Sequence, residues 1–181
     1  MKYILLTVFF ILLVSFSMQK ETYKTYADSR HHFSFAYPAV WKIIRSKDTS
    51  FYAVCVPAIK KEKEQYDFCF DDIVFYIKVF NTALDSTLLS HGYRKIRNDY
   101  FTSDNFSDSV KTSKMSGLRW KGLYHHNDCK ISCKDGSHHA GDCEFLYFSN
   151  DRQTILIESS AAGFEKNVFD KIKTTFRFND N

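Results

Sequence analysis

Cysteine and histidine crowd into one stretch of this chain. Residues 125–143 read His125-His126-Asn-Asp-Cys129-Lys-Ile-Ser-Cys133-Lys-Asp-Gly-Ser-His138-His139-Ala-Gly-Asp-Cys143. Three of the five cysteines and four of the seven histidines fall there. Thiolates and imidazoles are the ligand types that zinc prefers. Cys129, Cys133, His138, His139 and Cys143 could close around one tetrahedral ion, with Gly136 and Gly141 giving the turns. The spacing lacks the tight Cys-x2-Cys knuckles of the strong zinc signatures. The competing chemistry is oxidation. A disulfide would join Cys143 to Cys133 or to Cys129 in preference to Cys129 with Cys133, because the four-residue separation closes too small a ring to gain much. The other two cysteines, Cys55 and Cys69, flank a charged loop between two strand-like runs. A bridge between them is worth about 3 kcal/mol on the chain-entropy argument.

The start of the chain decides between these chemistries. Lys2 precedes an apolar run over residues 3–14, and Ser15 and Ser17 are spaced like the −3 and −1 positions of a signal-peptidase site. Residues 1–17 are expected to be a secretory signal peptide, cleaved after Ser17. The rival is a retained N-terminal anchor, for which the run is short of the roughly 20 residues a spanning helix needs. No later stretch is long and apolar enough to cross a membrane. Export places the cysteines in an oxidising compartment, where disulfides are the default. No cofactor is expected, with zinc as the exception to be tested.

Catalytic signatures are missing. There is no Gly-x-Ser-x-Gly elbow, P-loop, His-Glu-x-x-His or dinucleotide fingerprint. Cys143 with His138 or His139 would make a Cys–His pair, but nothing rigid and apolar holds the imidazole on so short a loop. Asp71 and Asp72 are neighbours at the head of a strand, so their carboxylates diverge and form no dyad. Asn105-Phe106-Ser107 matches a glycosylation sequon, a pattern frequent by chance. The net charge of +4 is scattered and forms no basic run interleaved with aromatics, so nucleic acid is not an expected partner.

Eighteen phenylalanines and eleven tyrosines against two prolines and six glycines point to an ordered, β-rich domain over residues 18–181. Phe33, Phe35 and Tyr37 alternate with small residues and place three rings on one face of a strand that Pro38 ends. Trp41 anchors the chain just past the turn. Strands are expected over 22–27, 41–45 and 51–56. The run 68–80 should pair antiparallel with 51–56 through the charged loop. A helix capped at Asn81 or Thr82 should run to about His91, stop at Gly92, and bury Leu84, Leu88 and Leu89. Residues 93–101 are read as one strand. Residues 110–124 are strand material broken by Gly117 and Gly122, with Leu118 and Trp120 on one face. Residues 125–143 are read as a loop. A hairpin around Asn150-Asp151 follows, then an amphipathic helix over 163–174 and a Phe-Arg-Phe strand.

Three local patterns resemble the PsbP-like superfamily. The first is the opening Phe33-Ser-Phe35-Ala-Tyr37-Pro38-Ala-Val-Trp41. The second is a glycine and then an aromatic midway, Gly117-Leu-Arg-Trp120. The third is the closing series Ile155-Leu-Ile157-Glu, Phe169-Asp-Lys-Ile172 and Thr175-Phe176-Arg-Phe178. The resemblance spans residues 26–178 and rests on packing positions, so it bears on fold alone. It implies an α+β fold, an antiparallel β-sheet with helices packed on it in an α/β/α sandwich, and a role that is usually non-enzymatic. The superfamily is functionally mixed, with photosystem subunits, nuclear-transport regulators and bacterial exported proteins. The expectation is an exported, non-enzymatic accessory or binding protein that docks a protein or an envelope component. The alternative is a metal-binding or redox protein using the 125–143 cluster.

Overall fold

The alternating rings near the start of the chain form β2 (Phe33–Pro38), with Phe33, Phe35 and Tyr37 buried. The structure is a computed structural model that describes residues 22–45, 51–55, 73–102, 110–132, 138–159 and 166–179, with backbone alone at 45, 51–55, 73–74, 110–111, 128–132 and 138–142. Strand β2 lies between β1 (Tyr23–Asp28) and the short β13 (Arg177–Phe178), both antiparallel to it. The first and last aromatic patterns of the described chain are thus hydrogen-bonded neighbours.

The main sheet has seven antiparallel strands. Its order is β3 (Lys42–Arg45), β4 (Phe51–Cys55), β5 (Ile73–Phe80), β12 (Thr154–Ser159), β11 (His138–Ser149), β10 (Trp120–Ser132) and β9 (Ser113–Gly117). Three short strands, β6 (Arg94–Ile96), β7 (Asp99–Thr102) and β8 (Val110–Lys111), make a third sheet. Among the described residues helices α1 (Leu84–Ser90) and α2 (Lys166–Thr175) give an α+β architecture.

Period-two alternation gives the main sheet two apolar faces. On one, Phe75, Ile77, Val79, Leu146, Phe148, Ile155 and Ile157 pack under Val168, Phe169 and Ile172 of α2 and the rings of β2. Phe176 lies at the centre of this layer, stacked on Phe148 with ring centroids 3.9 Å apart. On the other face, Leu123, Tyr147 and Leu156 pack under Leu84 and Leu88 of α1 with Tyr93 and Tyr100. At Gly122 a Cβ would come within 2.1 Å of the Tyr147 carbonyl oxygen, so only glycine lets β10 approach β11 this closely there.

Several expectations change. Gly122 does not break a strand but sits inside β10. Leu118 is exposed in a turn while Trp120 is buried, because the chain reverses between them. Residues 93–101 form a hairpin of β6 and β7 turning at Arg97, whose φ is +56°. Helix α1 begins after Ala83 with no side-chain cap, and Thr82 Oγ1 instead meets Thr87 Oγ1 at 2.8 Å. Thr87 takes the buried position expected of Leu89, which is 54% exposed. Gly92 does end the helix, with φ +83°. The signal-peptide, sequon and Asp71-Asp72 readings fall outside the described residues. Among the described residues no helix is long and apolar enough to cross a membrane.

Candidate functional site

The segment read as a Cys/His loop is a long β-hairpin. Strands β10 and β11 pair in unbroken register from Lys121↔Ser149 to Ser132↔His138. Cys129 lies opposite Gly141, His139 opposite Ile131, and Cys143 opposite Asn127. Gly141 is therefore a strand residue and supplies no turn. Cys143 is buried and disulfide-bonded, so its sulfur is not the thiolate that a metal site needs. Among the described residues no group of three or more His, Cys, Asp or Glu side chains is placed to hold a metal ion. The expected zinc site on Cys129, Cys133, His138, His139 and Cys143 is corrected accordingly. Cys133 and Cys69 lie outside the described residues, and Cys55 ends β4 opposite Lys42.

Directly opposed residues of an antiparallel pair share a face. Leu123↔Tyr147, His125↔Phe145 and Asn127↔Cys143 thus continue the α1-covered face toward the hairpin's far end. Composition changes along that row from apolar to polar. The His125 ring is buried and stacks on Phe145 with centroids 4.6 Å apart and planes within 3°. Tyr93, just past α1, closes over it. Its Oη lies 3.0 Å from His125 Nδ1 and donates to Tyr147 Oη at 3.4 Å. With Nδ1 protonated, the imidazole donates to Tyr93, which donates onward.

Burial sets the electrostatics of this network. Desolvation, with a smaller repulsion from His126, lowers the His125 pKa to about 4, so the imidazole is neutral near pH 7. Burial also raises the Tyr147 hydroxyl to about 12, and raises Tyr93 further. These groups are poor proton carriers at neutral pH, and the network acts as a polar clamp on the hairpin's base. Asn127 Oδ1, one step further along, is buried with no hydrogen-bond partner among the described residues.

Past this clamp the hairpin leaves the sheet. Strand β9 pairs with β10 only through Tyr124, and β12 pairs with β11 only from Phe145 onward. Glu144 N still donates to Ser159 Oγ at 2.7 Å. Beyond it, residues 125–132 and 138–143 pair only with each other among the described strands. Among the described residues the result is a two-stranded ribbon with no partner strand on either edge.

The opposite end of the sheet carries an open cleft of about 560 Å³ between turns, with Arg119, Arg152 and His32 in its walls. Sequence reasoning found neither this cleft nor the partnership of Tyr93 with His125. The cleft residues come from separate turns and share no spacing motif. His125 did belong to the cluster singled out in the sequence. The usable signal for the clamp was Leu123-Tyr-His125, whose alternation continues an apolar strand face.

Neither a protein-family profile nor a curated protein matches the sequence. Solved structures resemble its fold weakly. A Bacteroides thetaiotaomicron structure superposes with a TM-score of 0.52 at 12% identity, over 87% of this chain and 49% of that one. This chain thus spans about half the length of that protein. The cyanobacterial PsbP of Synechocystis matches at a TM-score of 0.46 and 11% identity, over 90% of this chain and 95% of that one. The Saccharomyces cerevisiae Ran-binding protein Mog1p matches at 0.46 and 8%, over 89% and 97%. The likeness is one of fold alone.

Proposed function

We propose that this chain is an exported, non-enzymatic accessory protein that docks a partner protein through the β10–β11 ribbon. The observation that carries the reading is the ribbon itself, which runs beyond both of its neighbours in the sheet. Unpaired strand edges display a row of N–H and C=O groups, and an extended segment of another chain satisfies them by adding a strand. A hairpin of two strands is marginal in water unless something fixes it. Here the Tyr93–His125 clamp fixes the base. We assign Cys129 as the disulfide partner of Cys143, since its backbone lies one diagonal step away on the same face. Peptide mapping of unreduced protein purified from its exported form should recover a Cys129–Cys143 cross-linked pair. Recovery of Cys143 bound to any other cysteine would overturn that assignment.

The docking reading is tested by shortening the ribbon. Residues 127–143 are replaced by Asn-Gly, which closes His126 against Glu144 in a two-residue turn. The shortened protein should keep its fold by circular dichroism and lose its cross-linked partner in the envelope. Unchanged cross-linking to a protein would rule out the ribbon. Cross-linking to lipid, lost on shortening, would replace the protein partner by a membrane component.

A further inference from the structure

We propose that the cleft at the turn end of the main sheet binds a small organic anion bearing a carboxylate or phosphate, held by Arg119, Arg152 and His32. The inference goes beyond the docking reading and does not rest on it. The cleft lies at the end where β10 begins and β11 finishes, away from the ribbon's tip.

Four turns enclose the space. They are the β1–β2 turn with His32, the β9–β10 turn with Arg119, the β11–β12 turn with Asn150 and Arg152, and the segment after β5 with Asn81. Hydrogen bonds lock three of them together. Gln153 Nε2 donates to His31 O at 2.6 Å, Asn179 N to His32 O at 2.8 Å, and Thr154 Oγ1 to Thr82 O at 2.8 Å. Asn150 Oδ1 accepts from Arg152 N and Gln153 N, which fixes the turn that carries Arg152. The walls are thus set before any ligand arrives, which is the usual condition of a small-molecule site of this volume.

The charge in the cleft has one sign. Among the described residues no acidic side chain lines it. The two nearby carboxylates among the described residues are engaged elsewhere. Asp151 pairs with Lys121 at 2.6 Å, and Asp28 is buried, accepting from Arg30 N and His31 N. Among the described residues the Arg152 guanidinium and the His32 imidazole have no hydrogen bond or ion pair. Guanidinium groups match planar carboxylates and phosphates in fork geometry, and imidazole adds a further donor.

Backbone strain points to the same place. Among the described residues, four non-glycine residues have positive φ, and three border the cleft: His32 at 52°, Arg119 at 63° and Asp151 at 70°. Glycine would sit at such positions without the steric penalty. A side chain as long as that of Arg119 is kept there against that preference, which is the pattern of strain retained at a binding site.

The test is an NMR titration of the full exported chain at neutral pH and low salt. The probes are inorganic phosphate and succinate in separate arms. Saturable shifts at the amides of His32, Asn150, Arg152 and Gln153 are expected with at least one probe, with Kd about 1 mM or tighter. The arm that saturates at lower concentration identifies the headgroup. Arg152→Gln should weaken binding about tenfold or more, and added salt should weaken it further. Arg119→Gly should also weaken binding. Lys166→Gln, on the exposed side of α2, should leave the Kd unchanged. No saturable shift with either probe up to about 20 mM would overturn the proposal, as would an unchanged Kd in Arg152→Gln.

Discussion

Phe176→Ala will lower the unfolding free energy by about 3–5 kcal/mol, the range for emptying a fully buried phenylalanine site. Few positions should cost more. The ring is completely buried, stacked on Phe148 and also on Phe33 with centroids 5.9 Å apart. Trp120 and Phe178 meet it edge-on. One side chain therefore joins α2's exit, the main sheet and β2. The site cannot collapse, because its walls belong to three different elements fixed by their own ladders. Phe176→Leu should recover a good part of the loss. Chemical denaturation of the three proteins checks this, and a loss under about 1.5 kcal/mol for Phe176→Ala would contradict the packing described.

Acid will destabilise the protein as pH falls from about 6.5 to about 4, through His125. Its folded pKa is depressed to about 4, against an ordinary value of 6.5. The unfolded chain thus binds the proton first. The contribution is complete above pH 6.5, declines through the window and levels off below pH 4, for a loss of about 3 kcal/mol. Among the described residues no carboxylate faces the ring. The groups facing the ring are Tyr93 from the segment after α1, Phe145 and Tyr147 from β11, and the adjacent His126. Glu158 is in range of the two tyrosines but is paired with Lys78 at 2.7 Å. Asp85 and Asp170 are held below the usual carboxylate range by lysine partners, so they titrate at the acid end and are largely exposed. His125→Phe keeps the stack on Phe145 and removes the titration. Its stability should be nearly flat across the window, and a profile as steep as the parent's would contradict the assignment.

Much of the fold was legible in the sequence because it is written in periodicity. The rings at 33, 35 and 37 alternate and are buried. The positions 168, 169, 172 and 176 recur at helical spacing and meet the same core. The Asn150-Asp151 turn and the Gly92 stop are chemical punctuation and appear where expected. What failed to show was tertiary in origin. Residues 125–143 are polar and rich in Gly, Asp and Ser, which reads as loop, yet pairing across the hairpin overrides local preference. Thr87 replaces Leu89 on the buried face of α1 because it lies three residues past Leu84, on the same helix face, whereas Leu89 lies five past it and turns away. The cleft assembles residues from turns far apart in sequence, which no local pattern announces.

The proposed docking surface is the ribbon's edges, unpaired among the described strands. A photo-cross-linking amino acid placed singly at Lys130 on the ribbon, at Lys42 on the sheet edge β3 and at Arg177 on β13 tests it directly. One protein adduct of constant mass is expected from position 130 in the intact envelope, with none from 42 or 177. Adducts from 42 or 177 with position 130 silent would contradict it.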